Sequence, residues 1–169
     1  MDDTAPRRSD APGGLHHVAY AARDMEATHQ FYGEVLGLKL SHTELTPYDQ
    51  GWFRHAFYEC GDGSCLAFFD LHGVGEPDPI RTAISTDLGL PMWVNHLALA
   101  VDAEQKATIV ARAGNLGVEP LVELDHGWCV STYFEDPNGI LVELCLDNPG
   151  MPVDPAEAAR LLRATPATA

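Results

Sequence analysis

The stretch Tyr133-Phe134-Glu135-Asp136-Pro137-Asn138-Gly139-Ile140-Leu141-Val142-Glu143-Leu144-Cys145-Leu146 decides how the rest of the chain is read. Its Asp-Pro-Asn-Gly turn fixes where a new strand begins, and the apolar run over 140–146 suits a buried strand. Glu143 lies in the middle of that run. An ionised carboxylate in apolar surroundings is costly unless something positive meets it. Lys and Arg together number only 10, so the partners indicated are two histidines in matching strand contexts. These are His17 in Leu15-His16-His17-Val18-Ala19-Tyr20 and His96 in Val94-Asn95-His96-Leu97-Ala98-Leu99. Two imidazoles and one carboxylate from separate strands make a site for one divalent metal ion.

The chain divides into two halves of similar pattern. The first predicts a strand over 15–21, then a helix capped by Asp24, striped by Phe31, Tyr32, Val35 and Leu36 and stopped by Gly37. A hairpin over 52–59 and 65–71 turns at Gly61-Asp62-Gly63. The second half predicts a strand over 93–101, a helix capped by Asp102 and ending near Gly114, and strands over 127–134 and 140–146. Setting His17 on His96 brings Asp24 close to Asp102 and the Gly63 turn close to the Gly139 turn, which marks an internal repeat around a pseudo-two-fold axis. The reading divides the chain into a disordered tail (1–13), one domain (14–147) and an extension with a short helix (148–169). Within the domain, module one covers 14–71, a Gly- and Pro-rich linker 72–91 and module two 92–147. The final helix starts at Asp154-Pro155, with Pro in its first turn.

Composition narrows the classes of function. The 169 residues, 46% hydrophobic, suffice for one real core. A formal net charge of −15 argues against a basic surface for nucleic acid or anionic membrane. No apolar run approaches the roughly 18–20 residues of a bilayer span, and the acidic start is no signal peptide. Cys60, Cys65, Cys129 and Cys145 lack CxxC spacing and read as reduced residues of a cytoplasmic protein.

Strand parity places His17 with Ala19 and Ala21, and His96 with Val94, Ala98 and Ala100. Both histidines therefore look across a face of small residues, as the lining of a pocket needs. Either alone reads as a half-buried histidine bonded to backbone. At repeat-equivalent positions, with a buried Glu closing the second unit, they read as ligands.

The segments HHVAYAARDMEATHQFYGEVLGLKL, NHLALAVD and YFEDPNGILVEL resemble the vicinal oxygen chelate superfamily, which includes glyoxalase, bleomycin-resistance and extradiol dioxygenase proteins. The resemblance covers residues 15 to 147. It implies an α+β fold of two βαβββ modules, forming an eight-stranded open barrel-like cup around one metal held by His17, His96 and Glu143. In the first module, the register puts Ala67 or Phe68 where glyoxalase I has a fourth ligand, and neither binds metal. Three ligands imply the two-His-one-carboxylate triad that holds Fe(II), with Mn(II), Zn(II) or Ni(II) as alternatives.

Residues 126–143 closely resemble the extradiol ring-cleavage signature: a His, a Tyr, Asp-Pro-x-Gly and the metal-binding Glu. Thr132 and Leu124 depart from it. The match implies that Tyr133 hydrogen-bonds substrate oxygen and that His126 shapes the pocket edge. The acid-base His of such enzymes is matched here by Ser64, with His55 or His72 as candidates for the same space. Trp52, Phe53, His55, Phe57 and Phe68 suggest an aromatic-lined substrate pocket. The leading expectation is an Fe(II)-dependent dioxygenase of the extradiol type, taking a small aromatic substrate and O₂ and working as a homodimer. A metal-dependent thiol transferase or lyase of glyoxalase or fosfomycin-resistance type is the first alternative, and a bleomycin-resistance-like sequestering protein the second. Fold alone does not choose among them.

Overall fold

A computed structural model of the chain describes residues 14–75, 80–150 and 154–166. The expected disordered tail over 1–13 lies outside the described residues, apart from which two modules follow one another. In module one, strand β1 (His17–Ala22) leads into helix α1 (Met25–His29), which widens into a π-helical stretch over Gln30–Val35. Strands β2 (Lys39–Tyr48), β3 (Gly51–Glu59) and β4 (Cys65–His72) complete it. Module two repeats the order with β5 (His96–Ala100), α2 (Ala103–Asn115), β6 (Val122–Asp125), β7 (Cys129–Glu135) and β8 (Leu141–Asp147). A 3-10 turn (Thr86–Leu88) lies in the connection, and helix α3 (Pro155–Leu161) follows the second sheet.

The sheets are mixed and ordered alike, β1-β4-β3-β2 and β5-β8-β7-β6, with β1 parallel to β4 and β5 parallel to β8. This is the two-module α+β fold expected, built as two four-stranded sheets with no closed barrel. The predicted caps hold both helices. Asp24 accepts from the Ala27 amide at 3.0 Å, and Asp102 forms a capping box with Gln105. No helix among the described residues is long and apolar enough to cross a membrane.

Apolar patterning does not reveal β2 and β6. Both are edge strands exposed along nearly their whole length, so neither carries a buried alternating face. β2 also contains Pro47, which an edge strand tolerates because its N–H is not needed in the ladder. Helix α3 contributes no buried residue, and Leu161 and Leu162 remain exposed.

Each sheet has one covered face. Val18, Tyr20, Ala56, Tyr58, Leu66 and Phe68 of the first sheet join Phe31, Tyr32, Val35 and Leu36 of its helix. They share one core with Leu97, Leu99, Phe134, Val142 and Leu144 of the second sheet and Ile109 and Ala113 of α2. Full burial of each large apolar side chain contributes about 1.5–3 kcal/mol. Arg112 ties the halves further: its guanidinium donates to the Val35 and Leu36 carbonyls at 2.7 and 2.8 Å, where the first helix ends. Gly37, at φ +77°, is what permits this approach, since a Cβ there would lie 2.7 Å from the guanidinium.

The Asp136–Gly139 turn also docks on module one. The wholly buried Asn138 accepts from the Arg23 amide at 2.8 Å and donates to Thr28 Oγ1 at 3.2 Å and Asp136 Oδ2 at 2.9 Å. Tyr32 donates to the same Asp136 oxygen at 2.9 Å, and burial raises the Asp136 carboxyl while these hydrogen bonds oppose the rise. A turn that only reversed the chain would need none of these contacts. Asn138→Ala strands several buried donors and acceptors, so it should lower unfolding stability by about 2–3 kcal/mol in denaturant titration. A loss below about 0.5 kcal/mol, as for an ordinary surface position, would show that the turn is not a clasp.

Candidate metal centre

Across the parallel ladder of β5 and β8, Ala98 pairs with Glu143 and His96 with Leu141, so all four side chains share a face. It is the face away from the core, because Val142 and Leu144 take the other side. There His96 Nε2 lies 3.1 Å from Glu143 Oε2. The His96 Nδ1 is 2.8 Å from the Trp93 carbonyl, which can only accept, so Nδ1 carries the proton and donates. Nε2 is thereby turned to the carboxylate, and a 3.1 Å contact of this kind is closed by a proton on Nε2 or by a metal ion that both groups ligate. Donors about 2.0–2.2 Å from one metal ion and at right angles are about 3.0 Å apart, which the observed separation matches. The donor set fits a divalent ion.

Glu143 is only 4% exposed. Its Oε1 accepts from Ser131 Oγ, a donor not indicated by any motif in the sequence. Strand pairing could have suggested it, since Ser131 shares the open face two residues before Tyr133. Tyr133 is the direct cross-strand partner of Glu143. Its hydroxyl lies 3.0 Å from His126 Nε2, and His126 in turn stacks on Trp128. Burial first, and the Glu143 charge second among the raising influences, lift the Tyr133 phenol above its ordinary value. It therefore stays protonated at neutral pH and can donate.

His17 also occupies an open face, that of module one. It is exposed, lies edge-on to Phe57 with ring centroids 5.5 Å apart, and has Nδ1 2.7 Å from the same atom of His16. The ladder pairs Ala19 with Ala67 just as Ala98 pairs with Glu143. Ala67 thus stands in the position equivalent to Glu143, and it has no donor. Within one chain His17 does not join the other two ligand candidates. Among the described residues, the group of three metal-binding donors lying within 4.8 Å of one another is Cys129, Glu143 and Cys145.

Of the residues expected to line an aromatic pocket, His55 and Phe57 lie on the His17 face. Phe68 does not: it is wholly buried in the core with its ring 4.5 Å from Tyr32. Trp52 also falls on the opposite side of β3, stacked 3.8 Å from His72, whose Nε2 is 2.9 Å from Asp70. The correction follows from parity, because Trp52 and Phe68 are offset by odd steps from Phe53, His55, Phe57 and Phe69 in the ladder. The same offset removes His72 from the open face and leaves His55.

His55 stacks on Phe69 at 3.7 Å. Its Nε2 is the buried side-chain polar atom without a hydrogen-bond partner among the described residues. Burial lowers its pKa, Glu44 opposes, and His17 and His42 add smaller lowering contributions. A cavity of about 920 Å³ lies elsewhere, between the free edge of β5 and module-one loops around Cys60 and Asp62. His96 and Glu143 meet on an open sheet face instead of in that cleft.

The family model described as Glyoxalase/Bleomycin resistance protein/Dioxygenase superfamily matches residues 14–144. The putative ring-cleaving dioxygenase MhqE of Bacillus subtilis is 40% identical over 109 residues, covering 60% of this chain and 36% of that protein. The chain therefore spans about a third of the length of that relative. Lactoylglutathione lyase of Neisseria meningitidis is 29% identical over 130 residues, covering 76% of this chain and 87% of the enzyme. The fosfomycin resistance protein FosX of Listeria monocytogenes, in a crystal structure with Mn(II) and 1S,2S-dihydroxypropylphosphonic acid, shares the fold at a TM-score of 0.57 and 20% identity. That likeness covers 89% of this chain and 99% of the other. The chain belongs to the glyoxalase, bleomycin resistance protein and dioxygenase superfamily.

Proposed function

We propose that this chain is a metal-dependent dioxygenase of the extradiol type, acting on a small aromatic substrate. Its Fe(II) would be held by His96 and Glu143 of one copy and His17 of a second. The observation that carries the reading is the 3.1 Å pairing of His96 Nε2 with the buried Glu143, with the protonated Tyr133 hydroxyl on the neighbouring strand. The resemblance to a ring-cleaving dioxygenase at 40% identity supports the reaction class.

The second copy is argued from the two open faces. Each chain leaves His17 on one uncovered sheet and the His96–Glu143 pair on another, and the latter exposes Val122, Leu124 and Trp128 beside it. Laying module one of one copy over module two of the next covers both faces and brings three donors together. A homodimer has two such sites.

When bound, iron(II) supplies Lewis acidity and the redox capacity that O₂ activation needs. The side chains position and move protons. Ser131 and the Trp93 carbonyl hold Glu143 and His96 in ligating orientation. Tyr133, itself oriented by His126, donates a hydrogen bond to a substrate oxygen. His55, kept neutral by burial and unpartnered at Nε2, accepts a proton from a substrate hydroxyl, while Phe57 and Phe69 pack against the ring. A lyase or transferase using Mn(II), Zn(II) or Ni(II) is the second reading, favoured by the 87% coverage of lactoylglutathione lyase. Ala67, with no donor at the fourth ligand position, favours the first.

Glu143→Gln should lower Fe(II) affinity by roughly tenfold or more with the fold intact, as read by anaerobic metal titration. Tyr133→Phe should keep full metal content and lower substrate-triggered O₂ uptake on a catechol panel by about a hundredfold. Unchanged metal binding in the first variant removes Glu143 from the ligand set, and unchanged turnover in the second makes Tyr133 a packing residue.

The folded pKa of His55 is depressed, so its stabilising contribution is complete above the ordinary imidazole value of 6.5 and is lost as pH falls from there toward the folded value. Thermal melts of the metal-free protein between about pH 7.5 and 5 should therefore show a shallower acid-side decline for His55→Gln than for the parent. Parallel profiles would mean that His55 titrates as in the unfolded chain.

A further inference from the structure

We propose that Cys129, Cys145 and Glu143 form a sulfur-bearing site for a thiophilic ion such as Zn²⁺ or Cd²⁺, and that filling it takes Glu143 away from a harder ion at His96. Ser131 pairs with Cys145 across the β7–β8 ladder, and Cys129 lies two residues before Ser131 on the same face. The two sulfurs thus flank Ser131 beside the carboxylate that Ser131 holds. One donor atom from each of Cys129, Cys145 and Glu143 lies within 4.8 Å of the others. Zinc–sulfur bonds of about 2.3 Å in a tetrahedron put sulfurs about 3.8 Å apart, so side-chain rotation alone closes the group on an ion.

The placement also keeps the sulfurs available. Both cysteines are free thiols. Diagonal neighbours in an antiparallel ladder have Cα atoms about 7–8 Å apart, beyond the separation that a disulfide spans. Cys129 is wholly buried and Glu143 nearly so, and an ion there sheds most of its water for protein donors. Binding releases the two thiol protons to solvent, and the Ser131 hydroxyl gives up Glu143 Oε1 to the metal. Thiolates favour zinc and cadmium over Mn(II) and Fe(II). His96 stands on the other side of the carboxylate, 3.1 Å from Glu143 Oε2. The exclusion of a harder ion rests on the reading of His96 and Glu143 as its ligands, whereas the sulfur site itself does not.

The test is Cd²⁺ titration of the metal-free protein, residues 1–169, read by thiolate-to-cadmium charge-transfer absorption and checked for folding by circular dichroism. The parent should show the band at one Cd²⁺ per chain. Cys129→Ser/Cys145→Ser should lose the band and bind Cd²⁺ roughly tenfold or more weakly, with Mn²⁺ binding unchanged. Cys60→Ser/Cys65→Ser should keep the band. One equivalent of Cd²⁺ should release bound Mn²⁺, seen by electron paramagnetic resonance. His17→Ala should weaken Mn²⁺ binding and leave the cadmium band intact. If it leaves Mn²⁺ binding unchanged while the band depends on Cys129 and Cys145, the three-ligand reading fails and the sulfur site stands. No band in the parent, or a band that survives loss of Cys129 and Cys145, overturns the sulfur site. Mn²⁺ retained beside Cd²⁺ overturns the exclusion.

Discussion

Glu143 is a carboxylate 4% exposed on a strand whose neighbours Val142 and Leu144 are wholly buried. No Lys or Arg pairs with it among the described residues. Ser131 donates to one oxygen and His96 faces the other. A single hydroxyl hydrogen bond, worth about 1.5–3 kcal/mol when it meets a charge, does not by itself offset the several kcal/mol of desolvating an ion. The second oxygen is left to whatever His96 brings to it. A divalent ion bridging Glu143 and His96 would compensate the buried carboxylate from the side that Ser131 does not reach.

The same constraint bears on the architecture. A strand can carry a buried carboxylate on one face and full core packing on the other because alternate residues point oppositely. β8 does this with Val142 and Leu144 inward and Glu143 outward, and β1 does it with Val18 and Tyr20 inward and His17 outward. The clasp made by Asp136 and Asn138 and the capping of the first helix by Arg112 fix the two modules through their covered faces. The face of His17 and the face of His96 and Glu143 consequently point away from the shared core. This rigid arrangement is the physical reason for invoking a second copy to complete the site.

Much of this was legible in the sequence. The caps at Asp24 and Asp102, the repeat, the turn before Ile140 and the outward parity of His17, His96 and Glu143 all follow from local rules of period and turn chemistry. β2 and β6 were not legible, because exposed edge strands bear no hydrophobic alternation. Phe68 and Trp52 were assigned to the pocket by residue type, and one step of parity sends them to the other side of the sheet. Ser131, Cys129 and Cys145 depend on cross-strand register, which no single-strand pattern reports. The placing of His55 and His72 on opposite sides of the sheet is likewise a matter of register, with His72 held by Asp70 and Trp52.

The central claim is that one metal is held by His17 of one copy and by His96 and Glu143 of another. Mixing His17→Ala protein with Glu143→Gln protein under conditions of subunit exchange tests it most directly. A mixed dimer has one site with both lesions and one with none, so the mixture should regain tight Fe(II) binding that neither variant shows alone. If each chain built its own site, every site in the mixture would carry a lesion, and the absence of any recovery after verified exchange would contradict the account.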